Sequence, residues 1–246
     1  MTYKIYPIRL GTTSVDRSLY EYRYPAGERI EVAYGCFLIK GNGKIILFDS
    51  GLPDQEEIHR IGLTFGYMDN PPQIMDELAK MGVKPEDVDA IIVSHLHWDH
   101  SWNMDKFPRA ELYVQKREME HAISPLPHER TAYGLAVNEP GCPSWLRVVS
   151  RLKALEGDAE LFPGIRAVTT PGHTPGSQSA LVDTEDGCYA RVSDFALTDR
   201  CYREGVLTGI FTSADDWYTS YKKLRAIGPK VLTTHSPSTY AMECYG

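Results

Sequence analysis

The chain has 246 residues, 42% of them hydrophobic and 24% charged, proportions of a globular protein rather than of a disordered or fibrous one. A formal net charge of −7 without a Lys/Arg-rich cluster argues against nucleic acid or an anionic membrane surface as partner. No run has the apolar length of a membrane span or of a signal-peptide core, so a cytoplasmic protein acting on a small molecule is expected.

In chain order, residues 4–10 and 30–33 have strand character. The segments 35–40 and 44–48 flank Gly41-Asn42-Gly43 and read as a β-hairpin with an Asn-Gly turn. The hairpin ends in Asp49-Ser50-Gly51, a tight turn at the end of a strand. Residues 72–81 place Ile74, Met75, Leu78 and Ala79 at helical spacing, with Gly82 as the C-cap. The apolar run Ala90-Ile91-Ile92-Val93 is a buried strand, and strand–helix–strand order points to a layered α/β arrangement. A short strand at 111–114 and a helix at 116–123 follow. Residues 124–144 are rich in Pro and Gly and are read as a lid or pocket wall that carries Tyr133. The second half brings strands at 164–169, 179–182 and 188–192. A helix at 214–227 shows Trp217, Tyr221, Leu224 and Ile227 on one face, and a strand at 230–234 precedes His235. The cysteines (Cys36, Cys142, Cys188, Cys201, Cys244) are odd in number and none forms a C-x-x-C pair, which argues for free thiols; Cys142 and Cys201 are expected in loops.

The densest chemistry is Ser94-His95-Leu96-His97-Trp98-Asp99-His100, directly after the strand at 90–93. Three imidazoles and a carboxylate in six residues suit zinc, manganese or iron. His95 and His97 are two apart, so an extended backbone points both the same way. Asp99 and His100 follow the turn and can point elsewhere, so one segment can feed two adjacent ions. Asp49, the histidine run, His173, Asp194 and His235 each follow a short strand, which places all of them along one sheet edge. Three neutral imidazoles leave an open position for water, and a second nearby ion lets one hydroxide bridge both. A carboxylate is the natural protein bridge. Such a centre polarises a carbonyl and hydrolyses an activated acyl bond, with Asp99 able to relay the proton to the leaving group.

These motifs resemble the metallo-β-lactamase superfamily: His95-x-His97-x-Asp99-His100, then His173 within Thr170-Pro171-Gly172-His173-Thr174-Pro175-Gly176, then Asp194 and His235. Order and spacing are most similar to the N-acyl homoserine lactonase and 4-pyridoxolactonase branch. The resemblance implies a four-layer αββα sandwich formed by residues 1–246 as a single domain. It implies that His95, His97 and His173 hold one divalent ion, that Asp99, His100 and His235 hold a second, and that Asp194 bridges them. Zinc is the expected metal, with manganese or iron as alternatives, and a homodimer is the implied assembly. Asp49 is expected to support the site through hydrogen bonds.

The chain departs from the family pattern in places. After His100 many members have small residues, where this chain has Ser101-Trp102-Asn103; Trp98 and Trp102 thus flank the ligand run and are candidate walls of the substrate pocket. Members of the lactonase branch carry a tyrosine three residues after the bridging aspartate; here that position is Leu197, and Tyr202 is the nearest phenol. The implied activity is a metal-dependent hydrolase opening a small lactone or cyclic amide through a metal-bridging hydroxide. A thioester hydrolase or an iron-dependent sulfur oxygenase on the same fold is the alternative.

Overall fold

The computed structural model describes residues 2–60, 71–135 and 143–246. The sequence segment expected to form a lid therefore lies partly outside the described residues, at 136–142, as does Cys142.

Two sheets organise the chain. The first runs β1 (Lys4–Asp16), β2 (Arg29–Gly41), β3 (Lys44–Phe48), β4 (Ala90–Ile92), β5 (Glu111–Gln115) and β6 (Leu152–Leu155), hydrogen-bonded in that order. Its first three strands are antiparallel, and β3 to β6 pair parallel. The second sheet contains β7 (Ala159–Phe162), β8 (Ile165–Thr169), β9 (Gln178–Thr184), β10 (Gly187–Arg191) and β11 (Lys230–Leu232), in the order β11-β10-β9-β8-β7. The helices are α1 (Gln55–Arg60), α2 (Ile74–Lys80), α3 (Trp98–Ser101), α4 (Lys116–Ile123), α5 (Ser144–Arg147), α6 (Asp199–Glu204) and α7 (Ala214–Ile227).

Side-chain alternation assigns the layers. Phe37, Ile39, Ile46, Phe48, Ala90 and Ile92 point inward and meet Ile165, Ala180, Val182 and Leu232 of the second sheet. Their neighbours Leu38, Leu47, Ile91 and Val93 face the other way, onto Ile58, Ile74 and Leu78 of the covering helices. Leu181, Ala190 and Val192 on the far face of the second sheet pack under Trp217 and Leu224 of α7. This is helix, sheet, sheet, helix, the αββα arrangement the resemblance implied.

Several expected boundaries shift. The hairpin turn forms as read, with Asn42 and Gly43 both at positive φ (51° and 73°). The segments read as two strands at 30–33 and 35–40 are one strand, β2. It passes Gly35 in close contact with β1: a Cβ there would lie 2.2 Å from the Ile8 carbonyl oxygen. Strand β1 is longer than expected and carries a register shift between Arg9 and Gly11 that lets it follow β2. Strands β6 and β7 were not expected; they are short and only partly buried, so no alternation marks them. Cys201 lies buried in α6 rather than in a loop, and burial pushes its thiol up. Cys36, Cys188, Cys201 and Cys244 are free. Among the described residues no helix is long and apolar enough to cross a membrane.

Candidate metal centre

The ligand-type side chains meet where strands of both sheets end. Asp49 follows β3, the histidine run follows β4 and turns into α3, His173 lies between β8 and β9, Asp194 follows β10 and His235 follows β11. The turns are built for this. Asp49 sits at φ 65° and Gly51 at φ 77°, which reverses the chain immediately after the strand. Gly172 sits at φ 142°, and a Cβ there would lie 2.7 Å from the Trp217 Cα, so the loop bearing His173 rests directly on α7.

Two groups result. His95, His97 and His173 form one; Asp99, His100, Asp194 and His235 form the other, and within each group the ligand atoms lie within 4.8 Å of one another. Asp194 joins them. Its Oδ2 faces the first group, 3.4 Å from His173 Nε2 and 4.0 Å from His95 Nε2. Its Oδ1 faces the second, 3.2 Å from His100 Nε2 and 3.3 Å from His235 Nε2. Asp99 Oδ2 lies 3.3 Å from His100 Nε2 and 3.8 Å from His235 Nε2.

The outer nitrogens of four of the five rings are already engaged. His173 Nδ1 lies 3.0 Å from the Ile210 carbonyl and His235 Nδ1 2.8 Å from the Ala33 carbonyl. A carbonyl only accepts, so both rings donate from Nδ1 and turn the Nε2 lone pair into the site. His95 Nδ1 lies between the Ser94 and Ser193 hydroxyls at 3.0 and 3.1 Å, and His100 Nδ1 faces Asp49 Oδ2 at 2.8 Å. On the inner side, His173 Nε2 lies 3.1 Å from His97 Nδ1. Ligand atoms around a tetrahedral zinc with arms of about 2.0–2.1 Å stand a similar distance apart.

The chemistry of the donor set fits cations. Among the described residues, His95 Nε2, His100 Nε2 and Asp194 Oδ1 are buried with no hydrogen-bond partner. Buried polar atoms without partners are costly, and bound cations would satisfy all three. Burial, then the neighbouring imidazoles, hold His95 and His97 well below the usual histidine range, as neutral donors. At His100 burial acts in the same direction, but the Asp99, Asp194 and Asp49 carboxylates outweigh it and push the ring well up. Burial raises Asp194, yet His100, His235 and His173 more than offset this and hold its carboxyl well below the usual range.

A cavity of about 90 Å³ opens beside the two groups. Its walls include Tyr20, Tyr34, Trp98, Leu197 and Ile210, with His97, Asp99, His173, Asp194 and His235 at its floor. The larger surface clefts, of about 420 and 580 Å³, contain none of these ligands. Of the sequence-derived wall residues, Trp98 and Leu197 line the cavity. Tyr133 is buried and sets its ring edge-on to His97 at 4.6 Å. Trp102 packs instead toward Gly134, where a Cβ would lie 3.1 Å from its ring. Tyr202 is not among the cavity-lining residues; its ring meets Tyr221 at 6.0 Å in the core under α7. Three residues that matter here carry no motif. Tyr20 and Tyr34 reach the cavity from the N-terminal third, their hydroxyls 3.3 Å apart. Glu118 is fully buried beneath the ligand loops, and its only sequence signal is an acidic residue one helical turn from buried Ala122.

The match to known proteins agrees with this geometry. The model of the metallo-beta-lactamase superfamily matches residues 33–235. An N-acyl homoserine lactonase of Bacillus cereus is 32% identical over 91% of this chain and 88% of its own length. The N-acyl homoserine lactonase AttM of Rhizobium radiobacter is 28% identical over 97% of this chain and 95% of its own. A crystal structure of N-acyl homoserine lactone hydrolase, with the product N-hexanoyl-L-homoserine bound at the catalytic metal center, superposes with a TM-score of 0.78. It is 25% identical, and the match covers 97% of this chain and 95% of that one. The chain belongs to the metallo-beta-lactamase superfamily.

Proposed function

We propose, with membership of this superfamily as the premise, that the chain is a dinuclear metal-dependent hydrolase that opens a small lactone. The observation that carries this reading is the pair of ligand groups joined through the two oxygens of Asp194. His95, His97 and His173 would hold one ion, and Asp99, His100 and His235 the other, with Asp194 between them. Zinc suits this nitrogen and oxygen donor set best. Two divalent ions bound there would polarise the ester carbonyl and lower the pKa of water to about 7.

The protein's own groups then divide the work. Asp99 is at the cavity floor, with an oxygen facing both His100 and His235, and can carry a proton toward the leaving alkoxide. Tyr20 and Tyr34 supply hydroxyls at the cavity wall. Burial, then the Tyr34 neighbour for Tyr20 and the Asp99 carboxylate for Tyr34, push both phenols up, so they stay protonated donors at neutral pH. They offer a hydrogen bond to a substrate oxygen that the aliphatic Leu197 cannot. Trp98 and Leu197 keep the walls apolar, which excludes water from all but the open face. A cavity of about 90 Å³ is small beside ordinary ligand pockets of about 300–1,000 Å³, so it takes the reacting ring and leaves the rest of the ligand outside.

The similarity to N-acyl homoserine lactonases supports an acylated lactone as the substrate class. The free cysteines among the described residues support a reducing, cytoplasmic setting. One domain and a homodimer complete the reading, the latter to be checked by analytical ultracentrifugation. The deciding experiment loads purified protein with zinc and offers acyl homoserine lactones of several chain lengths, simple lactones, cyclic amides and thioesters. Ring opening of a lactone at two zinc ions per chain is expected. Full activity with one ion per chain, or turnover of thioesters alone, would sink the proposal.

A further inference from the structure

We infer that Glu118 is the positioning residue of the His95–His97–His173 group, holding the two ligand loops of that group at a set separation. The inference rests on the metal-centre part of the proposed function. Glu118 lies in the first turn of α4 and is fully buried. Its Oε1 accepts from the Leu96 backbone N–H at 3.0 Å and from the Tyr133 hydroxyl at 3.0 Å. Its Oε2 accepts from the Thr174 hydroxyl at 2.6 Å and from the Gly176 backbone N–H at 3.2 Å. Leu96 stands between His95 and His97, and Thr174 directly follows His173. One carboxylate thus spans both loops, one oxygen to each.

Two further contacts make the joint tight. Gly176 is seated against the start of α4, where a Cβ would lie 2.1 Å from the Glu118 backbone nitrogen. Tyr133, held by Glu118, sets its ring edge on His97. The second ion group has its own counterpart in Asp49, which accepts from Ser94 N–H at 2.7 Å and faces His100 Nδ1 at 2.8 Å. The site is therefore supported by two buried acids, one behind each group. A group that merely filled the core would affect both ions alike; a positioning residue of one group affects one.

The test is Glu118→Gln, which keeps the shape but cannot keep the bonding. Each oxygen faces a backbone N–H, and neither N–H can turn round, so the amide NH₂ opposes a donor in either orientation. Apo-protein is titrated with zinc against a chromophoric chelator, beside His97→Ala as the marker for loss of the first ion. Expected for Glu118→Gln is one ion bound as in the parent and the other weakened about 10- to 100-fold. Added to His97→Ala, the substitution should leave the remaining ion unchanged. Thr174→Val and Tyr133→Phe each remove one hydroxyl donor and should weaken the same ion by a smaller factor; they decide the matter if Glu118→Gln does not fold. Native affinity for both ions in these variants, or equal weakening of both, overturns the inference. A parent protein that binds no zinc overturns it together with the proposed function. A parent that binds two ions but opens no lactone overturns only the substrate reading.

Discussion

Asp49→Asn should separate hydrogen-bond support of the centre from support of the fold. Asp49 is fully buried at φ 65°, a conformation asparagine tolerates, so the backbone strain is unchanged. The Ser94 N–H lies 2.7 Å from Oδ1, which keeps that end an oxygen and places the new NH₂ against His100 Nδ1, now 2.8 Å from Oδ2. An NH₂ donates, so Nδ1 must accept and the ring proton moves to Nε2. That nitrogen faces Asp99 at 3.3 Å and Asp194 at 3.2 Å and is the one that would bind the ion. Loss of such a partner costs about 10- to 100-fold in metal affinity, or about 1.4–2.7 kcal/mol. The loss should fall on the second ion, in contrast to Glu118→Gln. Asp49→Ala removes the same support but also leaves Ser94 N–H and His100 Nδ1 without their partner and puts a Cβ-bearing residue with no polar side chain at positive φ. It should cost about 2–5 kcal/mol of fold stability as well. Zinc titration and thermal melts of the apo-proteins measure the two quantities. If Asn binds both ions with native affinity, the tautomer argument is wrong.

His97→Ala should abolish turnover while far-UV circular dichroism and the apo melting temperature stay close to the parent. Tyr34→Phe and Tyr20→Phe keep the rings but remove the hydroxyls; kcat/KM for the lactone should fall about tenfold or more in at least one, with two ions still bound, and no change in either would refute the phenol role. Gly172→Ala forces a Cβ to within 2.7 Å of Trp217 at a strained φ, so it should lower the melting temperature and weaken the ion that His173 would hold, as read by zinc titration. Removal of metal by a chelator should lower the melting temperature reversibly, since ions that bind only the folded chain stabilise it by mass action; an unchanged melt on zinc readdition would refute an intact two-ion centre.

Much of the architecture is legible locally. The apolar runs in 35–40 and 44–48, the Asn-Gly turn between them and the helical spacing in 72–81 and 214–227 are each signals that one segment carries by itself. Strands β6 and β7 escape that reading because they sit at sheet edges and bury little, so their residues show no alternation. The joining of 30–33 to 35–40 into β2 depends on how closely β1 approaches Gly35, a contact between segments that neither segment encodes alone.

The site divides in the same way. The chemistry is local: imidazoles and a carboxylate packed into 95–100 are ligand types whatever surrounds them, and strand ends recurring before His173, Asp194 and His235 place them along one edge. Which oxygen of Asp194 faces which group, and the pairing of His173 with Ile210 and His235 with Ala33, are set by the face-to-face packing of the two sheets, which brings strand ends and loops from distant parts of the chain together. The walls are also non-local. Tyr20 and Tyr34 come to the cavity from far upstream, while Tyr202, near in sequence to Asp194, turns into the core under α7. Glu118 carries no motif, because a hydrogen bond to Leu96 and another to Thr174 leave no trace in the residues between them. By itself the sequence determines which atoms can bind a cation. Tertiary structure alone decides which buried acids hold those atoms and which phenols face them, since both depend on contacts between segments distant in the chain.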